Sequence, residues 1–217
     1  MREGRSVCAS CVRSSTWSKA TATSALEPPA ADRGACSIGI LGGTFNPPHL
    51  GHLQLAAHAR EALSLQRVLL VPAHTAPHKA GEPDPGPEHR LAMCRLAARG
   101  HAGVQVCALE IERGGPSYTV DSLRSVHASH PHAELTFIVG ADIASTLASW
   151  REPRQLLALA DLAVAARAGT DRAAVLAAVG EVGAVAGPGT PAVRFLEMPE
   201  VQVSSSQVRS RVAAGEP

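Results

Sequence analysis

Ile38-Gly39-Ile40-Leu41-Gly42-Gly43-Thr44-Phe45-Asn46-Pro47-Pro48-His49-Leu50-Gly51-His52 is the stretch whose reading decides the fold. The run Ile38–Leu41 is short and apolar, as in a buried strand, and the Ala/Leu-rich segment that follows has helical spacing. Gly42, Gly43, Pro47, Pro48, His49 and His52 therefore fall at the joint between a strand's carboxyl end and a helix start. A helix start presents unpaired N–H groups and a partial positive charge, which makes it a natural phosphate site. The two glycines let backbone approach a ligand closely, and the prolines stiffen the turn. His49 and His52, three residues apart, face the same side on a first helical turn. Two imidazoles beside a phosphate chain point to phosphoryl or nucleotidyl chemistry.

The rest of the chain repeats this alternation. Short apolar runs occur at 38–41, 68–71, 104–109, 135–139, 162–166 and 193–196. Segments with i, i+3, i+4 apolar spacing lie between most of them, at 50–63, 88–99, 119–129, 142–150 and 171–179. Strands apolar on both faces and separated by helices predict an α/β fold, a doubly wound, mostly parallel sheet covered on both sides. Residues 204–214 predict a closing helix capped by serines. In such sheets ligands sit at the carboxyl ends of strands where the strand order reverses, and the opening motif lies at such an end. The proline-rich stretch 80–87 reads as a surface loop, with a mobile flap over the site as the alternative.

Residues 1–35 differ in kind, being rich in Ser, Thr, Ala and Arg without helical or strand periodicity. They read as a disordered extension preceding a domain at 36–217, with a transit peptide or a misassigned start as alternatives. The 217 residues suffice for one ordinary domain. Twenty Lys plus Arg against 19 Asp plus Glu leave a net charge of +1, which gives no electrostatic case for nucleic acid or membrane as a partner. No apolar run approaches the roughly 20 residues that span a bilayer. Five scattered cysteines, with Cys8 and Cys11 as a lone CxxC pair, argue against a disulfide framework and for a cytoplasmic protein.

The motif Gly42–His52 resembles the signature of the HxGH nucleotidyltransferase superfamily, with His49-Leu50-Gly51-His52 as its HxGH element. Asn46 stands where the pyridine-nucleotide adenylyltransferase branch more often has Asp. Val203-Ser204-Ser205-Ser206-Gln207-Val208-Arg209 resembles the second superfamily element, ISSTxIR. Three further stretches resemble bacterial nicotinate-nucleotide adenylyltransferases: Val71–Lys79, Pro116–Leu123, and Phe137–Asp142 followed by Trp150. The resemblance covers roughly 36–212 and implies a Rossmann-like fold.

It also implies transfer of AMP from ATP, with Mg²⁺, to nicotinate mononucleotide. His49, His52 and Arg209 are the catalytic candidates. Gly42, Gly43, Thr44, Phe45, Gly140, Asp142, Ser204, Ser205 and Ser206 join them in holding ATP. Thr44, Asn46, His78, Lys79, Tyr118, Thr119, Val120, Trp150 and Arg151 are the candidates for the mononucleotide. Only 3% of residues are aromatic, yet the sole tyrosine and one of two tryptophans fall in these stretches. A flat pyridine ring needs such a stacking surface, although Trp150 also suits a helix-end core anchor. No metal ligands of the protein's own are expected. Nicotinamide mononucleotide as acceptor, phosphopantetheine less so, and a non-catalytic nucleotide-binding protein of the same fold stay open, as does a homo-oligomer. Glu110 and Glu112 read as a solvated strand edge.

Overall fold

The computed structural model describes residues 36–77, 83–167, 169–183, 192–198 and 201–216. Six strands form one sheet: β1 (Ser37–Gly43), β2 (Arg67–Pro72), β3 (Val104–Val106), β4 (Glu134–Gly140), β5 (Asp161–Ala166) and β6 (Val193–Glu197). Every neighbouring pair is parallel, in the order β3-β2-β1-β4-β5-β6. This is the doubly wound α/β order expected, and it reverses between β1 and β4. The carboxyl ends of those two strands, at Gly43 and Gly140, therefore flank the topological switch point.

Strand pleating sorts the side chains to two cores. Ile38 and Ile40 of β1, with Leu135, Phe137 and Val139 of β4, belong to one. It is covered by helices α4 (Thr119–Ser129), α6 (Pro153–Leu159) and α7 (Arg172–Gly183), through Leu123, Leu156 and Val175 among others. Leu41 and Ile138 face the other core, covered by α1 (Leu50–Ala62) through Leu53, Ala56 and Ala59 and by α2 (Pro87–Ala97) through Cys94. Each fully buried aliphatic side chain contributes on the order of 1.5–3 kcal/mol, so both faces hold the sheet.

Three local expectations change. The strand over 104–109 stops at Val106, and Leu109–Arg113 forms a short helix, α3. Leu-Glu-Ile-Glu alternates like a strand, but Leu109, Glu110 and Ile111 are all buried, which only the turning backbone permits. Glu110 is thus no solvated edge. The segment 142–150 splits into α5 (Ala141–Ala144) and a 3₁₀ turn (Leu147–Ser149). Helix α6, absent from the sequence expectation, begins with Pro153 at its first position, where a missing N–H costs nothing. The closing helix is α8 (Ser205–Ala213), with Ser204 as N-cap: its hydroxyl accepts from Gln207 N–H while the Gln207 side chain accepts from Ser204 N–H. No helix among the described residues is long and apolar enough to cross a membrane.

Candidate active site

The turn that leaves β1 is built around Phe45, which is buried, at a left-handed φ of 52°. Its ring lies so close to Gly43 that a Cβ there would meet it at 3.2 Å. Phe45 also presents an aromatic contact to His52, with centroids 4.9 Å apart and planes at 68°. The Asn46–Pro47 peptide is cis. His49 caps α1 with extended backbone, and its N–H donates to Nδ1 of His52 at 3.2 Å. A neutral His52 that accepts at Nδ1 carries its proton on Nε2, so that nitrogen is left as a donor. The two imidazoles lie with centroids 3.8 Å apart.

The surroundings of His49 favour its neutral form. Burial holds its pKa below the ordinary histidine value, and the nearby positive charge of Arg167 adds to the effect. Its Nδ1 is buried with no hydrogen-bond partner among the described residues. The ring edge lies over Gly51, where a Cβ would meet Nδ1 and Cε1 at 3.1 Å. Glycine between the histidines is therefore a packing requirement. Gly51→Ala should tilt His49 and lower kcat by about ten- to a hundredfold, the scale on which small misplacements act. Steady-state rates at saturating substrates would show it, and kcat within twofold of the wild type would contradict the packing argument.

The carboxyl-terminal element meets this turn. Ser205 Oγ donates to Pro47 O at 2.9 Å, and Arg209 Nη1 donates to Asn46 O at 2.6 Å, across 158 and 163 positions of chain. Arg209 Nη2 also reaches Ser206 Oγ at 3.2 Å. The structure thus brings Ser204, Ser205, Ser206 and Arg209 to the motif that carries Thr44, His49 and His52. Gly42 and Gly43 end β1 beneath it.

Across the switch point a cleft of about 250 Å³ opens between α1 and the ends of β4 and β5. Gly140 and Asp142 line it, and among the described residues nothing lies within 4 Å of where a Gly140 Cβ would stand. Leu55, Ala165, Arg167, Gly169 and Thr170 line it too, and the sequence reading missed all five. The signal was available: residues after Ala166 leave a strand next to the switch point, where ligands bind.

A third group gathers around the start of α4. Tyr118 is its N-cap, and Thr119 and Val120 begin its first turn, where the helix supplies no acceptors for the N–H groups. The Arg151 guanidinium sits 4.6 Å from the centre of the Tyr118 ring and pairs with Asp121 at 3.6 Å. Trp150 packs edge-on against Phe137 at 5.8 Å and donates its indole N–H to Thr146 Oγ1 at 3.1 Å, so much of the ring serves as a core anchor. His78 and Lys79 lie outside the described residues. Asn46 faces a different neighbour: its Nδ2 donates to Pro83 O at 2.7 Å, a bond the more usual Asp could not make.

Two buried polar residues escaped the sequence reading altogether. Arg90, which read only as part of a helix start, has no exposed surface, and its guanidinium is spent on backbone. It donates to Thr44 O (2.8 Å), Ala73 O (2.6 Å), His74 O (2.8 Å) and the Asp84 carboxylate (2.9 Å). Glu110 is 6% exposed and receives the hydroxyl of Ser122, with the Ser117 hydroxyl nearby.

Burial pushes the Glu110 carboxyl above the ordinary glutamate value. The Asp121 charge pushes the same way, and the two serines and Arg113 oppose it. A raised folded-state pKa means the native state holds the proton more tightly than the unfolded chain. The contribution of Glu110 to stability is then full below the ordinary glutamate range and is lost as pH rises through the raised value. Compared with Glu110→Gln, which does not titrate, the wild type should lose relative stability over that window in denaturant titrations. A difference that stays constant with pH would contradict the assignment.

The cytidylyltransferase-like family model matches residues 40–211. A probable nicotinate-nucleotide adenylyltransferase of Symbiobacterium thermophilum is 39% identical over 180 residues, covering 83% of this chain and 85% of its own. One from a Roseiflexus species is 43% identical over 181 residues, covering 83% and 87%. Among solved structures, the nicotinic acid mononucleotide adenylyltransferase of Plasmodium falciparum, complexed with NaAD, has a TM-score of 0.62 at 17% identity. That match covers 80% of this chain and 82% of the other.

Proposed function

The chain belongs to the cytidylyltransferase-like family, in its nicotinate-nucleotide adenylyltransferase branch, and from that membership we infer that it transfers AMP from ATP to nicotinate mononucleotide. The products are nicotinate adenine dinucleotide and pyrophosphate, and the reaction belongs to NAD biosynthesis. A 5′-phosphate oxygen of the mononucleotide attacks the α-phosphorus of ATP in line, and the bond to the bridging oxygen of pyrophosphate breaks. The attacking oxygen is already anionic, so no general base is needed. Catalysis is then positioning and stabilisation of charge.

The observation that carries this reading is the junction of the two distant elements. Ser205 and Arg209 of α8 are bonded to the turn that holds His49 and His52. The Nε2–H of His52, the neutral His49 and the first N–H groups of α1 stabilise charge on the α-phosphate and the departing pyrophosphate. Arg209, Ser204, Ser205 and Ser206, with the α8 start, take the β and γ phosphates. Gly42, Gly43, Thr44 and Phe45 shape the floor of the triphosphate site, and Gly140 and Asp142 take the adenosine side. On the acceptor side Thr44, Asn46, Tyr118, Trp150, Arg151, His78 and Lys79 hold the mononucleotide. The N–H groups of Thr119 and Val120 receive its carboxylate, for which a helix start is suited. Mg²⁺ would come bound to the triphosphate and offset part of its negative charge. Among the described residues no group of three or more His, Cys, Asp or Glu side chains is gathered to hold a metal ion. The protein works in the cytoplasm on small nucleotides.

Pyrophosphate release from ATP, measured in parallel with nicotinate mononucleotide, nicotinamide mononucleotide and phosphopantetheine, tests the reading. The expected result is release with the nicotinate nucleotide in clear preference. Release only with another acceptor would reassign the substrate, and ATP binding without release would make the protein a non-catalytic nucleotide binder.

A further inference from the structure

The largest fully buried side chain among the described residues is Arg90, and it packs at the end of the sheet where three loops converge. These loops have left the strands, so the ladder no longer accounts for their carbonyl and N–H groups, and other partners must. Arg90 supplies them for Thr44 in the motif turn and for Ala73 and His74 after β2. The His74 peptide is then held from its other side, because its N–H donates to Ser117 Oγ at 2.9 Å. The Ser117 hydroxyl stands close enough to Glu110 to lower its proton affinity, and Glu110 receives the hydroxyl of Ser122 from the first turn of α4. The Ser117 N–H closes the pair of loops on Thr75 O at 2.9 Å, where Thr75 and Pro116 form an isolated parallel bridge.

The result is one polar cluster across the loops: the Thr44 carbonyl, Arg90, the His74 peptide and Ser117 are joined by hydrogen bonds, and the bonded pair Glu110 and Ser122 stands beside Ser117. We propose that Arg90 and Glu110 are positioning residues that register the acceptor-side loops, 73–75 and 116–120, against the Thr44–His49 turn. The proposal rests on the assignment of those loops to the acceptor mononucleotide. Neither residue is required by the transfer chemistry; both act through backbone that others present. Arg90 suits its end of the cluster because a planar fork can meet three carbonyls and a carboxylate at once, which an ammonium cannot. Glu110 suits the other end because a carboxylate has two oxygens, one accepting the Ser122 hydroxyl and the other able to accept a neighbouring hydroxyl, without needing a donor in return.

The two ends predict different kinetics. Loss of Glu110 frees 116–120 and leaves the motif turn held. Loss of Arg90 frees the turn as well, so both substrates and kcat are affected.

The test combines hydrogen exchange of the ligand-free full chain with steady-state kinetics for Glu110→Leu, Glu110→Gln, Ser117→Ala and Arg90→Lys. In Glu110→Leu and Ser117→Ala, peptides covering 73–75 and 116–120 should exchange about tenfold faster, while β4 peptides stay protected. The KM for nicotinate mononucleotide should rise by about ten- to a hundredfold while that for ATP moves by no more than about twofold. Glu110→Gln, which keeps an acceptor, should restore most of both. Arg90→Lys should raise both KM values and lower kcat. Unchanged exchange in those loops of a folded Glu110→Leu protein would overturn the brace. Faster exchange with equal rises in both KM values, or with neither, would overturn the positioning role. A wild type that turns over no pyridine mononucleotide would overturn the acceptor assignment and that role with it, while the exchange data still decide the brace.

Discussion

Replacing His52 by alanine should lower kcat by roughly a hundred- to a thousandfold, the size found when one preorganised donor to developing negative charge is removed. The imidazole is held by contacts that include one hydrogen bond and two ring neighbours. Its Nδ1 accepts the His49 N–H, its face meets the edge of Phe45, and the His49 ring lies alongside. A ring held this way is oriented before substrate arrives, and orienting it costs nothing at the moment of reaction. Stability should fall little, since the hydrogen bond lost from His49 N–H is worth about 1 kcal/mol. Rapid-quench measurement of product formation, alongside a thermal melt, separates the two effects. Turnover near that of the wild type would remove His52 from the mechanism, and a collapsed melting temperature would make it a structural residue.

Arg90→Met should be among the most destabilising single substitutions in the chain. Methionine fits the space but leaves the carbonyls of Thr44, Ala73 and His74 without their donor, in a site where Arg90 itself has no exposed surface. Asp84, whose side chain is 39% exposed, can turn to water and loses less. Removing one member of a buried charge network typically costs about 3–5 kcal/mol. For a chain of this length that corresponds to a fall in Tm of roughly 10 °C. Differential scanning calorimetry on the purified variant would measure it. A fall of only a degree or two would mean that the three carbonyls find other donors, and that the loops are held by something else.

The contrast between these residues shows what the sequence could and could not disclose. The placement of His52 at a helix start was legible because it depends on short-range order: a strand, a glycine-rich turn and a helix start within fifteen residues. The sheet was legible for the same reason, since strands such as Ile38–Leu41 and Leu135–Val139 announce burial on both faces. Serine capping of α8 could be read from Ser204 and Gln207 alone. Arg90 and Glu110 could not be found this way. The partners of Arg90 are mainly carbonyl oxygens, which every residue carries, so no pattern of side chains points to them. Glu110 sits in a stretch whose alternation favours a strand, and the hydroxyls that make its burial tolerable come from Ser117 and Ser122 on the next turn of the fold. The far wall of the cleft, with Arg167, Gly169 and Thr170, was missed for a milder reason. Its residues form no motif and are identified only by their place beyond the end of β5.

Asn46 carries a last consequence, for the ageing of the protein. Its amide nitrogen donates to Pro83 O, so hydrolysis to aspartate would replace the donor with an acceptor facing a carbonyl. Asparagine ordinarily deamidates when the next residue's backbone nitrogen attacks the side-chain carbonyl and closes a succinimide. Here the next residue is Pro47, whose ring nitrogen bears no hydrogen and cannot form that ring. The one amide on which this contact depends is thus shielded, by its own neighbour in the chain, from the commonest route of spontaneous chemical decay.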